Sequence, residues 1–140
     1  MKPLPATGVA SSKTLSVETA KERLLTTKEC SGCDLLRANL EGANLMGAYL
    51  SRANLEYATL SEANLVYANF EGAYLYHAKL TTAYLKYATL SEANLKGANL
   101  MGAKIQYADL TGADLLGTHV EGATFCKTTM PDGSINNQDC

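Results

Sequence analysis

Residues 38–60 read ANLEGANLMGAYLSRANLEYATL: a small residue, a polar one, a leucine and two more, repeated without a break. The same five-residue word can be followed outward to Cys33 and to Lys127, giving nineteen consecutive words. Fifteen centres are Leu, from Leu35 to Leu115, and the others are Phe70, Ile105, Val120 and Phe125. Seventeen of the small positions are Ala, with Cys33 and Thr118 as exceptions. A fixed short period is the mark of a solenoid.

A period of five fits neither regular element. Five steps of about 100° would spiral the centres round an α-helix. In a strand an odd period would send successive centres to opposite faces. The chain must therefore turn within each word. Inside a word alternation holds: Ala43 and Leu45 share an inward face, Asn44 points out, and Met46-Gly47 form a corner. Glycine at eight of these corners suits turn geometry. Asn or Asp stands before the centre in ten words, and both tolerate unusual backbone angles.

This pattern, A-(N/D)-L-x-x, resembles the pentapeptide repeat family over about two thirds of the chain. The resemblance implies an all-β fold: a right-handed quadrilateral β-helix with one word per side and four per coil. Nineteen words then make nearly five coils, and at roughly 4.8 Å per coil a rod about 23 Å long. Burying the leucines, at roughly 1.5–3 kcal/mol each, drives folding against chain entropy.

Both ends of such a rod need covers. Ser16 suits a helix N-cap, Glu18 the first turn and Lys28 the last, while Val17, Ala20, Leu24 and Leu25 make one apolar stripe. The expected organisation is a flexible tail over 1–15, a cap helix with a CxxC over 16–32, the repeat over 33–127, and a capping tail over 128–140. Phe125 would plug the last coil, and Met130-Pro131-Asp132-Gly133 would turn the tail back over it.

On the implied fold, Cys33 and Cys126 lie roughly 20 Å apart along the rod. A disulfide needs Cα atoms within about 7 Å. The pairing left is Cys126–Cys140 at one end and Cys30–Cys33 at the other. The first would close a loop of about 15 residues, worth about 3 kcal/mol. The second closes a very short loop, and a pair of free thiols with a redox role is its alternative. Four cysteines so far apart cannot share one zinc.

Two end-clips suit an oxidising compartment. The flanks LLTTKECSGCDL (24–35) and FCKTTMPDGSINNQDC (125–140) resemble the ends of cyanobacterial and chloroplast members, several of them in the thylakoid lumen. The mature protein is expected there, with its targeting segment absent from this chain; a cytoplasmic location is the alternative. No stretch approaches eighteen apolar residues, so membrane insertion is not expected.

Signs of catalysis are sparse. His77 and His119 occupy different word positions on different sides, no phosphate loop or glycine fingerprint occurs, and no inserted loop builds a cleft. Neither a catalytic residue, a metal nor a cofactor is expected. Residues twenty apart should stack, and Tyr67, Tyr87 and Tyr107 are so spaced, with Tyr84 on the same side. These four form the candidate docking face for a protein partner. Mutual stabilisation of adjacent coils explains the same ladder more simply.

Some members of the family mimic DNA and inhibit type II topoisomerases. A DNA-like rod of this length would carry on the order of ten or more negative charges. The repeat block holds nine acids and seven bases, with Lys79, Lys86, Lys96 and Lys104 breaking the negative surface. Nucleic-acid binding fails for lack of a basic stripe. The sequence therefore reads as a non-enzymatic, monomeric scaffold or interaction module, with topoisomerase inhibition and thiol redox work as alternatives. The capped C-terminal end argues against end-to-end dimers.

Overall fold

Parallel bridges join Asp34 to Asn54, Asn54 to Tyr74, Tyr74 to Asn94 and Asn94 to Asp114, each step spanning twenty residues. The same step repeats in three other registers, so a coil uses four words and four turns. These relationships come from a computed structural model that describes residues 16–140. The tail expected over 1–15 lies outside the described residues.

Each word is held by a small fixed set of hydrogen bonds. The centre's N–H donates to the next coil, as Leu35 does to Asn54 O at 2.7 Å. The residue before the centre donates to the previous coil, as Asn54 does to Cys33 O at 2.8 Å. Across the corner the next small residue donates back, as Ala38 does to Leu35 O at 3.0 Å. The last corner residue is left-handed throughout, with φ of 70° at Gly47 and 65° at Tyr67. That accounts for glycine there, while the tyrosines accept the steric cost.

The Asn and Asp residues act differently from the expectation. None of the ten occupies a left-handed position. Each accepts, through its side-chain oxygen, the N–H of the first corner residue, as Asn64 does from Val66 at 3.1 Å. The set runs from Asp34–Leu36 to Asp114–Leu116. Their contribution is an Asx turn that satisfies a corner N–H which no neighbouring coil can reach.

Inside, the alanines and leucines form one dry core. Every centre from Leu35 to Leu110 is at most 2% exposed. The bonding also runs one word beyond each end of the Leu-centred run. Cys30 takes a centre position: it is fully buried, its N–H donates to Tyr49 O at 2.9 Å, and Glu29 bridges Tyr49. At the far end Thr129 bridges Asp109, Thr128 fills a small position, and Met130 packs against the core. The Thr128 hydroxyl donates to Ile105 O at 2.8 Å, as Thr118 does to Leu95 O at 2.7 Å. Threonine thus replaces alanine only where its hydroxyl finds a carbonyl in the coil below.

Helix α1, Val17–Thr27, covers the N-terminal end. Ser16 Oγ accepts the Thr19 N–H at 3.1 Å, and Lys28 closes the helix in a left-handed turn with its N–H on Leu24 O. Ala20 and Leu24 are fully buried, and Val17 packs against the core. Leu25 leaves the expected stripe and stays 38% exposed.

The C-terminal cover is half a lid. Phe125 is buried beneath the tail, and its N–H and C=O bond the Asp139 carboxylate and N–H at 2.8 and 2.7 Å. Strands β1, Thr128–Thr129, and β2, Ile135–Asn136, pair antiparallel, with Lys127 N–H on Asn137 Oδ1. The words 113–117 and 118–122 remain uncovered. Leu115 is only partly buried, Val120 is 38% exposed and Leu116 72% exposed.

Candidate docking face

The corner column of words 63–67, 83–87 and 103–107 brings three tyrosines into line. Tyr67 stacks on Tyr87 at 4.9 Å between ring centroids, and Tyr87 on Tyr107 at 4.8 Å, with planes 8° and 16° apart. The coil rise imposes this spacing, since it nearly equals the separation of parallel rings. The three residues remain between 40% and 61% exposed. Tyr84 stands on the same side, 45% exposed, with Lys104 Nζ 5.3 Å from its ring centre. Lys86 Nζ lies 5.8 Å from the Tyr87 ring and 6.0 Å from Tyr107. Met46 adds an exposed apolar end one coil earlier, beside Gly47, which leaves the place below Tyr67 without a side chain. Gln106 Oε1, on this side, is buried with no hydrogen-bond partner.

Net of its backbone cost, the tyrosine stack adds little to the stability of the rod. Each aromatic pair is worth about 0.5–1.5 kcal/mol. Each left-handed non-glycine residue costs about 1–2 kcal/mol. The two effects are of similar size, so glycine would serve the backbone nearly as well at these corners.

A second aromatic column lies on another side. Tyr57 stacks on His77 at 5.5 Å, Tyr76 meets His77 edge-on at 4.3 Å, and Arg37 sits 4.7 Å from the Tyr57 ring centre. Twenty-residue spacing links Tyr57 to His77 and, by the same step, to the arginine at its foot, Arg37.

The cysteines form two separate disulfides, Cys30–Cys33 and Cys126–Cys140, with Cα separations of 5.1 and 4.7 Å. Cys30 is fully buried and Cys33 is 8% exposed. The bridge lies under the cap helix, with Cys30 Sγ 3.4 Å from Ala20 O, so an attacking thiolate meets little exposed sulfur. Among the described residues, no group of three or more His, Cys, Asp or Glu side chains is placed to hold a metal ion. His77 and His119 are both exposed and far apart in the coil order. Two shallow depressions flank helix α1, one lined by Glu18, Lys21 and Glu22, the other by Lys21, Asn39 and Glu41. No helix among the described residues is long and apolar enough to cross a membrane.

Comparison with known proteins agrees with the coil geometry. The sequence profile of pentapeptide repeats matches in eight copies, over residues 29–56, 43–81 and 78–117. Among curated proteins none matches significantly. A crystal structure of a pentapeptide repeat protein from the cyanobacterium Cyanothece is similar, at 29% identity and a TM-score of 0.67, over 82% of this chain and 99% of that one. A pentapeptide repeat protein of the Arabidopsis thaliana thylakoid lumen is also similar, at 29% identity and a TM-score of 0.52, over 77% and 72% of the two chains. The chain belongs to the pentapeptide repeat family, and its twenty-residue coils are turns of a right-handed β-helix.

Proposed function

We propose that this quadrilateral rod of nearly five coils is a non-enzymatic interaction module that engages a protein partner through the side bearing Tyr67, Tyr84, Tyr87 and Tyr107. The observation that carries this reading is the row of half-exposed tyrosines at corners where glycine suffices. Tyrosine is enriched at the centres of protein interfaces because it buries a large rigid area at low entropic cost. The rod works as a monomer. Its uncovered C-terminal half-coil offers only Leu115, Leu116 and Val120, far less than the roughly 800 Å² per partner of a stable interface. The thylakoid lumen is its place of action, a reading supported by the two disulfides and by the similar lumenal protein of Arabidopsis.

The test is paired capture from a thylakoid-lumen extract, using the wild type and a Tyr67→Ser/Tyr87→Ser/Tyr107→Ser variant. A protein retained by the first and lost by the second supports the docking side. Identical recovery from both, or no recovery, removes it.

A further inference from the structure

Sorting the charged residues of 33–127 by side gives an uneven result. The tyrosine side, words 43–47, 63–67, 83–87, 103–107 and 123–127, holds Lys86, Lys104 and Lys127 and no carboxylate. All nine acids of the block lie on the other three sides, together with Arg37, Arg52, Lys79 and Lys96. A protein of net charge −2 thus has one cationic side, and it is the aromatic one.

These lysines are also unspent. The single salt bridge among the described residues is Lys96–Asp114, on a different side. Lys86 and Lys104 are exposed, their ammonium nitrogens lie 5.8 and 5.3 Å from tyrosine ring centres, and neither has a carboxylate partner among the described residues. The tail carboxylate of Asp139, at the far rim, is already held by the Phe125 N–H.

We infer that the partner on this side is an acidic protein segment, its carboxylates paired with Lys86 and Lys104 and its apolar groups laid on the tyrosine edges. This rests on the docking side proposed above. A single-stranded nucleic acid fits less well, because the stack closes both faces of Tyr87 and so offers no run of open ring faces for successive bases. A membrane surface fits poorly too, because the rings are locked in a stack on a flat wall with three cations. An extended peptide supplies what remains: carboxylates for the lysines and apolar side chains for the ring edges.

The experiment uses the whole chain and a short synthetic peptide alternating Glu with Phe, with Gln–Phe and Lys–Phe versions as controls. Backbone amide shifts are mapped by NMR onto the four sides. The expected result is that the Glu–Phe peptide perturbs words 83–87 and 103–107, and that its affinity falls at least tenfold in Lys86→Glu/Lys104→Glu. A Lys86→Met/Lys104→Met variant, which keeps the side chains' apolar stems, should fall similarly, with unchanged coil signals showing that both variants fold. Equal binding of the Gln–Phe peptide to this side would overturn the acidic partner while leaving the docking side standing. Perturbation spread over all four sides, or none here, would overturn both. Displacement of the peptide by oligothymidylate or phosphatidylserine vesicles at lower concentration would overturn the partner class.

Discussion

Tyr87 is sandwiched 4.8 Å from Tyr107 although both hold φ values near 62°, a conformation that favours glycine. Replacing Tyr87 by Gly removes two stacking contacts and relieves one strained corner. The expected net change is within about 1 kcal/mol. Leu85→Ala, two residues away in the core, should cost about 2–5 kcal/mol. Urea denaturation of the two variants decides between roles. A loss at Tyr87→Gly as large as at Leu85→Ala would make the ladder a structural device and remove the argument for docking.

The Asx turns lead to a second expectation. Asn64 Oδ1 accepts the Val66 N–H at 3.1 Å, and its residue is part-buried at the corner. Asn64→Ala should cost about 0.5–1.5 kcal/mol, because that N–H keeps no partner in a neighbouring coil. Asn64→Asp keeps the acceptor and should cost less. Thr59→Ala serves as the comparison, since Thr59 occupies the same place in its word without making this bond. Equal losses at Asn64 and Thr59, measured by chemical denaturation, would show that the turn bond contributes nothing.

The rod itself was readable in the sequence because one constraint repeats: a small residue and a large apolar one must enter the same narrow interior every five positions. Counting by twenty also located the tyrosine column, since coil stacking is strictly periodic. The terminal words were harder. Cys30 sits five places before Leu35 and Met130 five after Phe125, but neither resembles the leucine-centred word, and a CxxC pair draws attention to redox chemistry. The half-open C-terminal end was not readable at all. It depends on where Asp139 and Asn137 find backbone partners, and such contacts leave no periodic trace. The expected function of the Asn residues was misjudged for a similar reason: composition marks a turn but does not say which atom makes the bond.

Reduction should affect the two disulfides unequally. Cys126–Cys140 closes a fourteen-residue separation and holds a tail otherwise fixed by a few hydrogen bonds. Its loss should cost about 3 kcal/mol by chain entropy, and the Phe125 and Asp139 amides should then exchange faster. Cys30–Cys33 spans only three residues, so Cys33→Ser should cost less in chain entropy. Thermal unfolding of Cys140→Ser and Cys33→Ser variants gives the comparison. A larger loss from Cys33→Ser would show that burial of the sulfur at the cap, not loop closure, dominates.

The turn at Asp132 should respond to acid. The Ser134 hydroxyl and N–H both donate to its carboxylate, which holds its pKa below the ordinary value of about 3.9. A depressed folded-state pKa means that the stabilising contribution is complete above the unfolded value and disappears as pH falls through the folded one. The β1–β2 hairpin should therefore loosen below about pH 4, while Asp132→Asn removes that part of the acid dependence. Amide exchange of Ser134 and Met130 against pH reports it directly. An unchanged profile in the Asn variant would assign the loosening to another group.

Gly97 tests how closely the coils are matched at their corners. Its φ is 67°, and a Cβ built there would lie 2.7 Å from the His77 ring, twenty residues below. Gly97→Ala therefore carries two penalties: the left-handed strain, about 1–2 kcal/mol, and displacement of the imidazole from its stack with Tyr57. Gly117, at the next step of the same column, meets only the backbone of Gly97 at 3.8 Å or more, so Gly117→Ala carries the strain alone. The first substitution should be the more destabilising, and His77→Ala should reduce the difference. A double-mutant cycle measures the coupling, expected at about 0.5 kcal/mol or more. If Gly97→Ala and Gly117→Ala prove equal, with no coupling to His77, the imidazole moves aside freely and the Tyr57–His77 column is not held in one arrangement.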